Sequence, residues 1–109
     1  MRYTHYINSA HAVKVDAAEN ETVLKTDDSG NITVSAGDVL VFKNPTGNKN
    51  LSVTQITFKT DNRVFRVRIN DNEMYPLIVP VRSQYSMSGL AIYKLTILSD
   101  CTFAYDALA

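Results

Sequence analysis

The chain has 109 residues, 45% of them hydrophobic, and its eleven basic and eleven acidic side chains leave no net charge. This length and composition are typical of one globular domain with a single buried core. The balanced charge disfavours a nucleic-acid-binding protein, because such proteins draw much of their affinity from a basic excess.

Residues 1–22 carry the weakest pattern in the chain. Val13 and Val15 alternate with other residues as in a short strand, whereas residues 16–22 suit either a helical turn or a polar loop. We therefore expect residues 1–22 to be an N-terminal arm or a first strand, and residues 23–109 to form a single β-sandwich domain.

Two turn-rich stretches follow, each leading into a predicted strand. Residues 26–31 are turn formers, and the alternation of Ile32 and Val34 after them predicts a hairpin. The acids of this turn lack the spacing of a calcium loop, so we expect a solvated turn. The apolar run at residues 39–42 predicts a strand that is covered on both faces or that changes sheets.

A change of phase marks residues 51–58. Leu51 and Val53 share one alternation, while Ile56 and Phe58 share the other. A shift by one residue moves every side chain to the opposite face, so this sequence predicts a β-bulge or bend near Thr54.

Residues 64–81 show the clearest strand pattern. Apolar residues alternate with Arg66 and Arg68, turn formers occupy residues 70–73, and an apolar stretch follows, which together predict a hairpin. Pro76 and Pro80 lack a backbone N–H and place the second strand at a sheet edge or bulge.

The last part of the chain predicts a polar crossing followed by two strands. Residues 83–89 are polar and are expected to cross between strands. Tyr93, Leu95 and Ile97 are then expected to face inward, and Cys101 starts a final alternating strand as a small buried hydrophobe. About eight short strands without an amphipathic helix predict an all-β fold, an antiparallel β-sandwich or small barrel, with a jelly-roll-like order as the first expectation.

The sequence offers no group of residues suited to catalysis. His5 and His11 are the two histidines, and their six-residue separation fits neither a strand face nor a helical metal site. Serine-nucleophile motifs and phosphate-binding glycine loops are missing as well. We therefore expect no enzyme, no catalytic residue, no metal and no cofactor. No apolar stretch approaches the ~20 residues of a membrane helix, so no membrane partner is expected.

Arginines and tyrosines are the candidate interaction residues. One set, which could form a positive patch or simply a solvated face, comprises Arg63, Arg66, Arg68 and Arg82. The other set, which suits either protein contacts, sugar stacking or packing at the rim of the core, comprises Tyr75, Tyr85 and Tyr93.

The run RINDNEMYPLIVPVRSQYSMSGLAIYKLTIL at residues 68–98 resembles a pattern of small all-β virion proteins of tailed bacteriophages. The resemblance implies a structural protein of the virion, a head decoration protein or a minor head or tail component. Such a protein is made in the host cytoplasm and works as a homo-oligomer bound to other virion proteins. It carries over no residue-specific role. The alternative function, drawn from the tyrosines, is a monomeric ligand-binding β-sandwich with carbohydrate as the expected ligand.

Overall fold

The computed structural model describes residues 10–43, 50–71 and 76–108, with the backbone alone at Leu90. His5, Tyr75, residues 72–73 of the expected turn and residues 1–9 of the expected arm therefore lie outside the described residues. Within them the chain forms strands, turns and bends but no helix, which confirms the all-β prediction.

The described residues form eleven strands. They are β1 (His11–Val15), β2 (Glu21–Val23), β3 (Ile32–Val34), β4 (Val39–Lys43), β5 (Asn50–Leu51), β6 (Val53–Thr60), β7 (Phe65–Ile69), β8 (Leu77–Val79), β9 (Gln84–Ile92), β10 (Lys94–Ile97) and β11 (Cys101–Leu108).

These strands make two antiparallel sheets that pack face to face as a β-sandwich. The seven-stranded sheet has the order β2-β1-β4-β10-β7-β8, with β5 paired to the end of β4. The four-stranded sheet has the order β3-β11-β6-β9. The core lies between them and is built from the inward-facing apolar residues of both sheets, among them Leu40, Phe58 and Phe103.

A cluster of phenylalanines joins the two sheets. Phe65 of the seven-stranded sheet is fully buried, and its ring centroid lies 4.1 Å from that of Phe103 and 5.0 Å from that of Phe58, both in the four-stranded sheet. Cys101 is buried at the edge of this core, as predicted. Burial of these rings is the main favourable term that holds the layers together.

The predicted hairpin and edge strand in residues 64–81 are confirmed. β7 pairs antiparallel with β8, and β8 is the last strand of its sheet, between Pro76 and Pro80. Asn70 begins the turn with a φ of 56°, a left-handed conformation that asparagine tolerates better than most residues.

The predicted irregularity near Thr54 is also confirmed. Leu51 belongs to β5 of the seven-stranded sheet, whereas Val53 already begins β6 of the four-stranded sheet. The register between β6 and β9 shifts between Val53 and Gln55. The chain therefore turns a corner of the sandwich at the point where the alternation changes phase.

The predicted hairpin around residues 26–31 is wrong. The turn exists, since the Asp27 carboxylate accepts the N–H groups of Ser29 and Asn31 at 2.8 and 3.0 Å. However, β2 pairs with β1, and β3 pairs with β11 in the other sheet. The residues of the turn determine that the chain changes direction there. They do not determine which strands the segments before and after the turn pair with.

Two predictions for residues 83–98 are wrong. Residues 84–92 form the long strand β9 instead of a crossing. Their polar residues lie on the outward face of the four-stranded sheet, whereas Tyr85 and Met87 lie on the inward face, opposite the buried Phe58 and Ile56. Tyr93 is 44% exposed instead of inward-facing. The Asn70 side-chain oxygen accepts the Tyr93 N–H at 2.8 Å and separates β9 from β10 at this residue.

Candidate interaction surfaces

The outward side of the seven-stranded sheet carries an unusual number of valines. Strand registers place them in two rows across β2, β1 and β4. This valine patch consists of Val13, Val15, Val23, Val39 and Val41. Val23 is 63% exposed and the others are half-buried or buried. The expectation that β4 is covered on both faces is met only in part, because Val39 and Val41 on its outward face are half-buried.

An ion pair between a buried lysine and an exposed glutamate lies across this patch. The Nζ of Lys43 on β4 is 3.0 Å from a carboxylate oxygen of Glu21 on β2, and β1 runs between those two strands. The Lys43 stem therefore passes over β1, where Val13 retains only 2% of its accessible surface. Lysine side chains commonly cover apolar surface with their methylene groups while the ammonium contacts a polar partner, and Lys43 has this arrangement.

Arg66 and Arg68 lie on the same outward side, next to the valine patch. The register sets Arg68, Thr96, Val39 and Val15 in one row across four strands. Arg66 is exposed and lies opposite Ile78 of β8, which is 53% exposed. Neither arginine forms an ion pair with an acid in the described part of the chain.

Arg63 and Arg82 lie on the loops at one end of the sandwich. Arg82 has a φ of 49°, and its backbone N–H donates to the Asp61 carbonyl at 2.7 Å. Arg63 lines a groove of about 320 Å³ together with Ser35 and Asp100 at the end of the four-stranded sheet. The structure thus places two of the four candidate arginines on the outward face of the seven-stranded sheet and the other two on loops at one end of the sandwich.

The tyrosines do not form one platform. Tyr85 is 43% exposed on the edge strand β9 of the four-stranded sheet. Tyr93 lies at the junction of β9 and β10, where its hydroxyl donates to Asp71 at 3.0 Å. Tyr75 is outside the described residues. A sugar ring stacked on several of these tyrosines at once is not supported by this placement.

A polar cluster fixes Tyr93 in its exposed position. Asp71 accepts hydrogen bonds from the Lys94 ammonium and the Tyr93 hydroxyl, while Asn70 holds the backbone of Tyr93 and Lys94. The Lys94 ammonium, followed by the Tyr93 hydroxyl, lowers the pKa of Asp71 below its ordinary value. The hydrogen bond between the Tyr93 hydroxyl and Asp71 raises the pKa of Tyr93.

The outward side of the four-stranded sheet is polar instead of apolar. Its central row joins Asp106, Thr57 and Ser86, and the Thr57 and Ser86 hydroxyls are 2.8 Å apart. A groove of about 430 Å³ runs between this row and the turn at Gly30. Tyr105 borders the groove, but its oxygen already accepts the Ala12 N–H at 2.6 Å.

The described His, Cys, Asp and Glu side chains do not gather into a metal-binding cluster. Across residues 10–43, 50–71 and 76–108, no group of three or more His, Cys, Asp or Glu side chains is placed to hold a metal ion. Burial raises the pKa of the Cys101 thiol, the direction that keeps a cysteine protonated and unreactive. In the same ranges no helix has the length and apolar character of a membrane span.

Comparison of the chain with protein-family models, with curated proteins and with solved structures found no match. The sites described above therefore stand on their own geometry. The valine patch and the β9 edge were missed by the sequence reasoning. The sequence signals that could have revealed them are the alternate valines of HAVKV and VLVFK and the uncharged run from Ser83 to Tyr93.

Proposed function

We propose that this chain is a non-enzymatic structural protein of a tailed-bacteriophage particle, either a head decoration protein or a minor head or tail component. It acts through contacts between its surface, further copies of itself and other virion proteins. In this role the protein binds other proteins instead of catalysing a reaction. Repeated weak contacts in an array then add up through avidity.

The observation that carries the proposal is the outward side of the seven-stranded sheet. It combines exposed apolar side chains, Val23 and Ile78, with two arginines that have no acidic partner in the described residues. Interfaces are enriched in arginine because its planar group meets carboxylates with two hydrogen bonds while its stem covers apolar surface. The chemistry of this face fits an acidic and apolar protein surface. The resemblance of residues 68–98 to phage virion proteins supports the same role.

The direct test is co-purification with particles. Phage particles from cells that carry this sequence are banded on a density gradient and probed with an antibody against the protein. We expect the protein in the particle band at a fixed ratio to the major head or tail protein. Its confinement to the unbound fraction would contradict the proposal.

A charge reversal locates the contact face. We expect Arg66→Glu to weaken binding to particles that lack this protein at least ~30-fold, because an interface hot spot contributes about 2 kcal/mol or more. Lys59→Glu is the matched control, because Lys59 is also an exposed strand cation but lies on the four-stranded sheet. Equal losses in the two variants would show that the outward face of the seven-stranded sheet is not the contact.

The second candidate function, carbohydrate binding by a monomer, is favoured by the groove beside Gly30. Asp106 and the hydroxyls of Thr26 and Thr57 line it, and these groups can accept and donate hydrogen bonds to sugar hydroxyls. A glycan array tests it. A hit that Asp106→Ala abolishes would support this function, and the absence of any hit would remove it.

A further inference from the structure

β9 forms a long sheet edge. It is the last strand of the four-stranded sheet and pairs with β6 on one side, and no described strand pairs with its other side. Its residues 84–88 are in continuous register with β6, and beyond Ser88 the register becomes irregular near Gly89, which has a φ of 82°. Residues 84–88 are therefore the regular part of the edge.

The other edges in the described part of the chain are short or blocked. β2 and β3 have three residues each, and β8 has three residues between two prolines. β9 has neither protection, since residues 83–93 contain no charged residue and no proline. A long, uncharged edge is a template for pairing with another strand, which charged residues and prolines normally prevent.

The backbone groups of this edge can be assigned from one hydrogen bond. The Thr60 N–H donates to the Ser83 carbonyl at 2.9 Å, so residues 60 and 83 are a hydrogen-bonded pair. Hydrogen-bonded and non-hydrogen-bonded pairs alternate along an antiparallel ladder. The N–H and C=O groups of Gln84, Ser86 and Ser88 therefore point away from β6, toward the open side.

We propose that two copies of this chain pair antiparallel through β9, with the two-fold axis at Ser86. This register sets Ser86 opposite Ser86 of the partner subunit and Gln84 opposite Ser88 of the partner subunit. All three outward-pointing residues then lie in hydrogen-bonded pairs. The two four-stranded sheets become one continuous eight-stranded sheet.

The side chains suit this self-pairing. Tyr85 lies opposite Met87 of the partner subunit, so a tyrosine that is 43% exposed in one copy is covered by a thioether, a favourable neighbour for an aromatic ring. No like charges meet at the joint, whereas a two-fold axis brings each residue near its own copy and would penalise any charged edge. The inference deepens the proposed function and rests on it, because it names the surface through which copies of a virion protein join.

The test measures the solution mass of the purified protein by light scattering over a range of concentrations. We expect a dimer, and we expect Ser86→Lys to raise its dissociation constant at least tenfold by placing two ammonium groups at the axis. Mixing the Ser86→Lys and Ser86→Glu variants should restore the dimer, because unlike charges then meet. A wild-type protein that stays monomeric at all concentrations overturns the pairing.

Thr33→Lys is the matched control. Thr33 lies on β3, the opposite edge of the same sheet, and its hydroxyl contacts Thr102 at 3.1 Å as that of Ser86 contacts Thr57 at 2.8 Å. Each variant adds one charge and removes one surface hydroxyl contact. Circular dichroism should show both folded, with Thr33→Lys still dimeric. Equal loss of dimer in both variants overturns the assignment to β9.

The two proposals fail separately. A dimer that does not band with particles contradicts the virion function and leaves the β9 pairing supported. A monomer that bands with particles contradicts the pairing and leaves the virion function supported.

Discussion

Single side chains in this protein act mainly by fixing where the backbone turns. Asn70 is the clearest case, because it adopts a left-handed φ and its side chain accepts the N–H groups of Tyr93 and Lys94 and donates to the Ala91 carbonyl. That one residue ends β7 and defines the junction of β9 and β10. A serine at this position would have neither the reach nor the amide donor.

Replacing Lys94 should change how Asp71 titrates. Lys94→Met removes the ammonium that contributes most to the lowered pKa of Asp71, so we expect this pKa to rise toward its ordinary value of 3.8. A carboxyl titration followed by NMR measures it. Asp16 is the internal control, since its pKa is lowered chiefly by the N–H of Asn20 and should not change. An unchanged pKa of Asp71 would show that the contact between Lys94 and Asp71 does not form in solution.

The same pair predicts a direction for acid stability. A carboxyl whose pKa is lower in the folded chain stabilises the fold above its unfolded value, and this contribution disappears as pH falls through the folded value. The ordinary pKa of Asp71 is 3.8. We therefore expect the wild type to lose more stability than Lys94→Met when the pH falls below that value. Urea unfolding midpoints at neutral and acid pH check it, and parallel losses in the two proteins would contradict it.

Among the elements, β1 connects the two sheets. It pairs with β2 and β4 on its two sides, while the Ala12 N–H donates to the Tyr105 hydroxyl of β11. Just before β1, the Ala10 N–H donates to the Ala107 carbonyl at 2.9 Å. The expected alternatives for this segment were an arm and a strand, and His11–Val15 is a strand inside its sheet.

Deleting residues 1–12 should therefore damage the fold. The deletion removes Ala10 and Ala12, which are 7% and 2% exposed, together with the first two of the five residues of β1 and both hydrogen bonds to β11. We expect a large loss of thermal stability measured by circular dichroism. A chain that begins at residue 9 keeps every one of these contacts and is the control. Equal melting temperatures in the two chains would show that β1 contributes little.

At the scale of the whole molecule, stability depends on the contact between the two sheets. Phe65 is the seven-stranded sheet's contribution to the phenylalanine cluster and is fully buried between Phe58 and Phe103. Its ring lies against two fully or almost fully buried rings of the opposite sheet, so its removal would leave a cavity between the two layers.

Phe65→Ala should cost about 3–5 kcal/mol of unfolding free energy, because it removes a buried ring and leaves a cavity. Ile78→Ala is the control, since Ile78 is on the adjacent strand but faces outward and is 53% exposed. Urea unfolding of both variants measures the difference. Similar midpoints would mean that the two faces of β7 have been assigned the wrong way round.

The sequence by itself determined the fold class and several local features of this protein. Alternation of apolar and polar residues set the faces of β7 and β10, the phase change at Thr54 marked the corner of the sandwich, and the prolines put β8 at an edge. These features depend on neighbouring residues, whose chemistry the sequence displays directly.

Only the tertiary structure decided which strands pair and which surfaces remain open. The pairing of β2 with β1 instead of β3, the joining of valines from β1, β2 and β4 into one patch, and the unpaired side of β9 all depend on contacts between distant residues. A strand's alternation specifies which face is buried but not which neighbour supplies its hydrogen bonds, because every strand offers the same backbone groups.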